Sequence, residues 1–173
     1  ILTRDYPVAP QEKNFIYPKD TQQDFNTLLR QLVEYAQKPF YAHPSFLQAL
    51  IGAEKPQRPN TELYKTIKEI FYQPYAYSIF NALSYARLLG YTIPAMKKII
   101  DLPQFDGYHQ YAVDIHSIRC VYFLEHIEDP FIGQLFDALK EDEKALLKIV
   151  TFLHDAGKGR RTDHHFVGAS LFK

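Results

Sequence analysis

The sequence predicts an all-α protein, and two observations carry that prediction. Apolar residues recur at three- and four-residue steps along most of the chain, which is the period of a helix with one buried face. Strand-like alternation is weak, and Gly/Pro turn pairs of the hairpin type are lacking. With 46 % hydrophobic and 15 % aromatic residues, the chain can bury a core and is unlike a disordered one.

Composition also limits the function. The 173 residues carry 20 basic and 20 acidic side chains, so the whole-chain basic field that attracts DNA is missing. One cysteine allows no internal disulfide, and no apolar run reaches the roughly 18 residues that span a bilayer. We expect a cytoplasmic protein with no membrane segment. Because it begins at Ile1 and stops at Lys173 within a helical pattern, we expect a piece of a longer chain.

The first half is predicted to contain five helices, over about 21–37, 44–53, 61–72, 75–89 and 94–100, after an irregular or extended segment. Asn60 is placed to cap the third helix. Gly90 is placed to end the fourth, because glycine readily adopts the left-handed conformation that follows a helix. Pro94 opens the fifth.

The loop over 101–107 is the predicted boundary, and it divides the chain into subdomains 1–102 and 103–173. Helices are predicted beyond it over about 115–127, 130–139 and 142–155, with a last one beginning near Asp163. Asp114 is placed to cap the first of these.

Two histidines on these helices are candidate metal ligands. His116 is predicted to share an inward face with Cys120 and Phe123. His154 ends the row Leu146, Val150, His154, and Asp155 follows it directly. If the two helices pack together, two imidazoles and a carboxylate would suit Zn, Mn, Fe or a similar ion. The alternative is that each histidine is a hydrogen-bonded core residue.

The segment after His154 favours phosphate chemistry. Gly157 allows a sharp turn that would bring Lys158 back to the His154–Asp155 pair. Lys158 and Arg160 are cations suited to a phosphate group, and Asp163 can cap a helix that presents His164 in its first turn. The alternative is a solvated basic loop.

These residues resemble a known family. A His on one helix, followed by His-Asp and then Lys on another, resembles the HD superfamily of metal-dependent phosphohydrolases. Residues 108–119 are similar to Tyr-His-x-Tyr-Thr-Val-Asp-x-His-Thr-x-Arg, and residues 154–169 to His-Asp-x-x-Lys-Gly-Arg-x-x-Asp-His-x-x-x-Gly-Ala. Both patterns are typical of the bacterial bifunctional uridylyltransferase/uridylyl-removing enzymes that act on the nitrogen-regulatory PII protein.

The resemblance implies a helical linker followed by a truncated HD-domain bundle that hydrolyses a phosphodiester. His116, His154, Asp155 and His164 would be ligands of one or two divalent ions, Mn, Mg, Fe or Zn. Lys158 and Asp155 would be catalytic, and Lys158 and Arg160 would bind phosphate. The partners would be the PII protein as substrate and a uridine nucleotide (UMP or UTP).

The chain departs from the family in two respects. It lacks the Gly-Ser and paired-Asp pattern of a nucleotidyltransferase site, so the transferase reaction of the parent enzyme is not assigned to these residues. HD domains carry a further Asp ligand on a later helix, and no Asp follows Asp163. Two alternatives remain: an HD phosphohydrolase of free nucleotides, or a non-catalytic helical scaffold with a degenerate site.

Overall fold

A computed structural model describes residues 14–58, 60–103 and 111–158, and within these ranges the all-α prediction is confirmed. The helix predicted to begin near Asp163 lies outside the described residues. A 3₁₀ helix covers Pro94–Lys98, and two short strands, β1 (Phe15–Ile16) and β2 (Tyr41–Ala42), pair in parallel. The α-helices are α1 (Phe25–Tyr35), α2 (Pro44–Gly52), α3 (Thr61–Tyr72), α4 (Ala76–Tyr85), α5 (Leu89–Thr92), α6 (Val113–Glu125), α7 (Pro130–Asp137) and α8 (Glu141–Leu153).

The described residues fall into two compact units. One comprises 14–92, and the other comprises 93–103 together with 111–158. The sequence prediction instead divided the chain between residues 102 and 103. Two hydrogen bonds attach the preceding residues to the start of α6: Val113 N–H donates to the carbonyl of Leu102 (3.0 Å), and Asp101 N–H donates to Oδ1 of Asp114 (3.2 Å).

The first unit is built around the apolar face of α1. The predicted inward residues of this helix are all buried: Phe25, Leu28, Leu29, Leu32, Val33 and Ala36. Asp24 caps α1 by accepting a hydrogen bond from Thr27 N–H, and Asn60 caps α3 by accepting one from Leu63 N–H at 2.9 Å. The predicted role of Asn60 is therefore confirmed, because its side chain satisfies a backbone donor that the helix leaves unpaired.

The prediction that Gly90 ends the fourth helix is wrong. α4 ends at Tyr85, and Arg87 takes the left-handed conformation with φ 61°. Leu88 N–H donates to the carbonyl of Leu83 (2.8 Å) and Arg87 N–H to that of Ser84 (3.0 Å), the two bonds of a Schellman motif. Gly90 instead lies buried within the short α5.

The second unit centres on α6 packed against α8. His116 meets His154, and farther along α6 Glu125 meets Lys148, so the two helices run in opposite directions. The Glu125–Lys148 ion pair has an N–O distance of 2.8 Å, and its side chains are 1 % and 6 % exposed. The buried apolar side chains of these two helices include Ile118, Val121 and Phe152. α7, in contrast, has no buried residue.

The prediction that Asp114 caps α6 is also wrong. Ala112 is the N-cap residue, and Asp114 lies inside the first turn, fully buried. Its carboxylate accepts a hydrogen bond from Asp101 N–H and so links that residue to the first turn of α6. A carboxylate in the first turn still interacts favourably with the positive end of the helix dipole.

The inward faces of α6 and α8 differ from the predicted ones. Leu146 and Val150 are 59 % and 44 % exposed, and Phe123 is 56 % exposed. The buried residues of α8 are Ala145, Lys148 and Phe152, and those of α6 are Val113, Asp114, Ser117, Ile118 and Val121. The apolar pattern predicted the wrong inward residues because each helix buries polar side chains, which such a pattern does not identify. These are Asp114 and Ser117 on α6 and Lys148 on α8. No helix of the described ranges has the length and apolar content needed to cross a membrane.

Candidate metal centre

Two imidazoles from different helices meet at one end of the α6–α8 pair. The ring centroids of His116 and His154 lie 5.4 Å apart, with an interplanar angle of 70°. His116 is partly buried in the first half of α6, and His154 follows the last turn of α8, with a side chain that is 39 % exposed. The helices therefore bring together the two histidines that the sequence singled out, at a position open to solvent on one side.

Asp155 and Lys158 complete a polar cluster around His154. The Oδ2 atom of Asp155 lies 3.3 Å from Nε2 of His154 and accepts a hydrogen bond from Lys158 Nζ at 2.7 Å. The predicted return of Lys158 to the His-Asp pair is confirmed. A turn after α8 places it there, in which Ala156 N–H donates to the carbonyl of Leu153 and Lys158 N–H to that of Asp155.

The pKa values of His154 and Asp155 are shifted in opposite directions, each toward the charged form. The hydrogen bond with Asp155 raises the pKa of His154 above its usual 6.5, against the opposing effect of burial. Burial would raise the pKa of Asp155, but hydrogen bonds from His154 and Lys158 outweigh it, and that pKa lies well below its usual range. Asp155 is thus ionised at any pH near neutrality, which suits a carboxylate that offsets the charge of a cation.

His154 is oriented as a metal-binding histidine is. Its Nδ1 lies 2.8 Å from the carbonyl oxygen of Thr151, and that contact requires a proton on Nδ1 because a carbonyl only accepts. Nε2 is then the nitrogen that can bind a cation, after it releases the proton that it donates to Asp155. Histidine ligands commonly donate their other N–H to a backbone carbonyl, which fixes the ring.

The donor atoms also fit one cation by their separation. Nitrogen and oxygen ligands that lie roughly 2.0–2.2 Å from a tetrahedral ion stand roughly 3.4 Å apart. The 3.3 Å between Nε2 of His154 and Oδ2 of Asp155 matches that value. His154 and Asp155 are therefore spaced as two ligands of one divalent cation can be, and His116 reaches the same region through its contact with the ring of His154.

A third side chain near the histidines was missed as a ligand candidate. The Sγ atom of Cys120 lies 3.5 Å from Nε2 of His116, and ligand atoms of Cys120, His116 and His154 all lie within 4.8 Å of one another. Burial and then the charge of Asp155 raise the pKa of the Cys120 thiol, against the charge of Arg119. The i, i+4 spacing of His116 and Cys120, which puts both side chains on one face of a helix, was the signal in the sequence that could have identified Cys120 as a candidate ligand.

The remaining predicted site residues cannot be placed. Arg160 and His164 lie outside the described residues, so their roles stay predictions. Sequence reasoning also missed the buried Glu125–Lys148 pair that helps to hold α6 against α8. No signal in the sequence identified it, because a Glu and a Lys on helices are usually solvated.

Comparisons with curated proteins give relatives over nearly the whole chain. A bifunctional uridylyltransferase/uridylyl-removing enzyme of Bradyrhizobium sp. (strain ORS 278) is 32 % identical over 180 residues, which cover 96 % of this chain and 19 % of that protein. The enzymes of the same name from Nitrobacter winogradskyi and Rhodopseudomonas palustris are each 31 % identical, with the same coverage. The chain thus spans about a fifth of the length of these relatives. No protein-family profile and no solved structure matches it.

Proposed function

Over 96 % of its length this chain is homologous to one segment of the bifunctional uridylyltransferase/uridylyl-removing enzymes, and we propose that it supplies part of a metal-dependent phosphohydrolase site. In this proposal residues 1–102 are a helical linker and residues 103–173 are the front part of an HD domain. The observation that carries it is the convergence of His116 and His154 from two helices, with Asp155 3.3 Å from the second imidazole.

The proposed ligands of the cation are Nε2 of His154, an imidazole nitrogen of His116 and the carboxylate of Asp155, with His164 as a further ligand carried over from the family. When bound, the cation would lower the pKa of a coordinated water and polarise a phosphoryl oxygen. The proposed site holds one or two divalent ions, which would be Mn, Mg, Fe or Zn.

Lys158 is the proposed catalytic cation. It lies beside the ligand carboxylate, with Nζ 2.7 Å from Oδ2 of Asp155 and the side chain 23 % exposed. From this position its ammonium can contact the non-bridging oxygens of a phosphodiester and offset the charge that develops on them. The Oδ2 atom of Asp155 contacts both His154 and Lys158, so this carboxylate positions the imidazole and the ammonium close to each other.

The proposed reaction is hydrolysis of a phosphodiester that releases UMP from a uridylylated tyrosine of a PII protein, in the cytoplasm. In the full-length protein that carries this sequence, His154→Ala and Asp155→Ala are expected to abolish release of UMP and uptake of a divalent cation. Lys158→Ala should retain the cation but lose at least about a hundredfold in rate, because it removes charge stabilisation alone. Undiminished hydrolysis in the Asp155 variant would overturn the proposal.

The substrate is tested separately from the site. Incubation of the full-length protein with uridylylated PII and with a panel of free nucleotides and cyclic dinucleotides should release UMP from the modified protein and leave the panel intact. Turnover of the panel alone would identify a nucleotide phosphohydrolase instead. A protein that binds no metal and hydrolyses neither class would be a helical scaffold with a degenerate site.

A further inference from the structure

Cys120 stands where a third ligand of the candidate metal centre would stand. It lies one helical turn after His116 on α6, and the i, i+4 spacing turns both side chains to the same face. His154 approaches that face from the end of α8, and one ligand atom of each residue lies within 4.8 Å of the other two. Two packed helices therefore present a sulfur and two nitrogens to one small volume.

The separation of sulfur and nitrogen fits coordination of a single ion. With Zn–S near 2.3 Å and Zn–N near 2.0–2.1 Å, the two ligand atoms of a tetrahedral site stand roughly 3.6 Å apart. The observed distance from Sγ of Cys120 to Nε2 of His116 is 3.5 Å. Cys120 is partly buried, and the nearby His154 side chain is 39 % exposed.

We propose that Cys120 is a ligand of this centre, together with His116 and His154, and that it gives the site a preference for a thiophilic cation such as Zn²⁺. Thiolate favours Zn²⁺, whereas sites built only from carboxylate and water suit Mg²⁺ and Mn²⁺. On binding, the sulfur forms a bond to the cation and the thiol proton passes to solvent. This inference rests on the metal centre of the proposed function and adds a residue to it.

Titration of the 173-residue chain with Co²⁺ under reducing conditions tests the inference directly. The sequence contains one cysteine, so a thiolate-to-cobalt charge-transfer band can only come from Cys120. The band is expected in the native chain and in Lys158→Ala, and it is expected to be absent in Cys120→Ser. The Ser variant should still bind Co²⁺ through the histidines, and far-ultraviolet circular dichroism should match the native chain.

Selectivity gives a second measurement. Cys120→Ser is expected to lower the affinity for Zn²⁺ by at least about tenfold and to change the affinity for Mn²⁺ by less than about threefold. Zn²⁺ should also slow alkylation of the single thiol in the native chain. The hydroxyl introduced by Cys120→Ser could itself bind the cation, and Cys120→Ala controls for this because it carries no oxygen. The Ala variant should behave like the Ser variant.

The outcomes separate this inference from the proposed function. If Co²⁺ binds without the charge-transfer band, and Cys120→Ser leaves the Zn²⁺ affinity unchanged, then Cys120 is only a thiol beside His116 and the inference falls. Loss of binding in His116→Ala and His154→Ala would in that case still support the histidine site. If the native chain binds neither Co²⁺ nor Zn²⁺, this inference is overturned, whereas the proposed function is decided by metal uptake and UMP release in the full-length protein.

Discussion

At the scale of single residues, His154 and Asp155 form a charged pair whose strength depends on pH. The pKa of His154 is raised mainly by its hydrogen bond with Asp155, and the pKa of Asp155 is lowered because hydrogen bonds from His154 and Lys158 outweigh burial. Because the pKa of His154 is higher in the folded chain than in the unfolded one, its protonation stabilises the metal-free protein below about pH 6.5. That contribution is lost as the pH rises through the pKa of the folded state. The contribution of Asp155 is present above about pH 4 and is lost as the pH falls through its lowered value.

The metal-free chain should therefore lose more stability than His154→Gln when the pH rises from about 5.5 to about 8.5. Urea unfolding in the presence of a chelator measures the two free energies of unfolding across that range. The native curve should fall relative to the variant, because only the native chain loses an imidazolium paired with Asp155. Parallel curves would mean that this pair contributes nothing to folding.

At the scale of helices, the contact between α6 and α8 includes a buried ion pair. Lys148→Met should destabilise the second unit by about 3–5 kcal/mol, because it leaves the carboxylate of Glu125, whose side chain is 1 % exposed, without its cation. The exposed pair Lys19–Glu34, with both side chains about 60 % exposed, offers a matched control, and Lys19→Met should cost far less stability than Lys148→Met.

The double variant Lys148→Met/Glu125→Leu checks the reason for that loss. Replacing both charges by apolar groups should recover much of the stability lost in Lys148→Met, because no buried charge remains unpaired. Chemical denaturation of the three variants provides the comparison. A Lys148→Met variant no less stable than Lys19→Met would contradict the assigned role of the pair.

The face that α8 buries can be tested with two apolar truncations. Phe152 is fully buried, so Phe152→Ala should cost about 3–5 kcal/mol through lost packing and a cavity. Leu146 is 59 % exposed, so Leu146→Ala should change the free energy of unfolding by about 1 kcal/mol or less. A larger loss of stability in Leu146→Ala than in Phe152→Ala would instead support the predicted inward face, which contains Leu146 and Val150.

At the scale of the whole molecule, the proposed ligands among the described residues all belong to one unit. His116 and Cys120 lie on α6, and His154 and Asp155 directly follow α8. Binding of Zn²⁺ at about a hundred times its dissociation constant should stabilise the folded state by about 2.7 kcal/mol. Hydrogen exchange should show slower exchange for amides of α6 and α8, while those of α1 and α3 keep their rates.

Slower exchange confined to α6 and α8 would locate the cation within the second unit. If Zn²⁺ protected α1 and α3 as strongly as α6 and α8, the cation would be bound elsewhere, or would stabilise the chain without using this site. His154→Ala is the control, because it removes a proposed ligand and should abolish the protection of α6 and α8. Mass-spectrometric exchange with and without Zn²⁺ measures all four helices in one experiment.

The sequence was sufficient to predict those features of the structure that depend on residues close together in the chain. The apolar residues of α1 recur at helical spacing and are all buried, and Asn60 caps α3 through a bond three residues away. The return of Lys158 toward Asp155 is equally local, since the two residues are three apart. His116, His154 and Asp155 could be nominated as a group because their residue types and positions match a known pattern.

The sequence by itself determined the helical class and most helix positions, since these depend on contacts within a few residues, and it nominated His116, His154 and Asp155 from their types and spacing. Only the tertiary structure decided which faces of α6 and α8 are inward, because burial of Lys148 and Asp114 depends on partners far away along the chain or on another helix. The structure also put Cys120 beside the two imidazoles. Helix periodicity fixes which side chains share a face, but only packing against another element decides what that face meets.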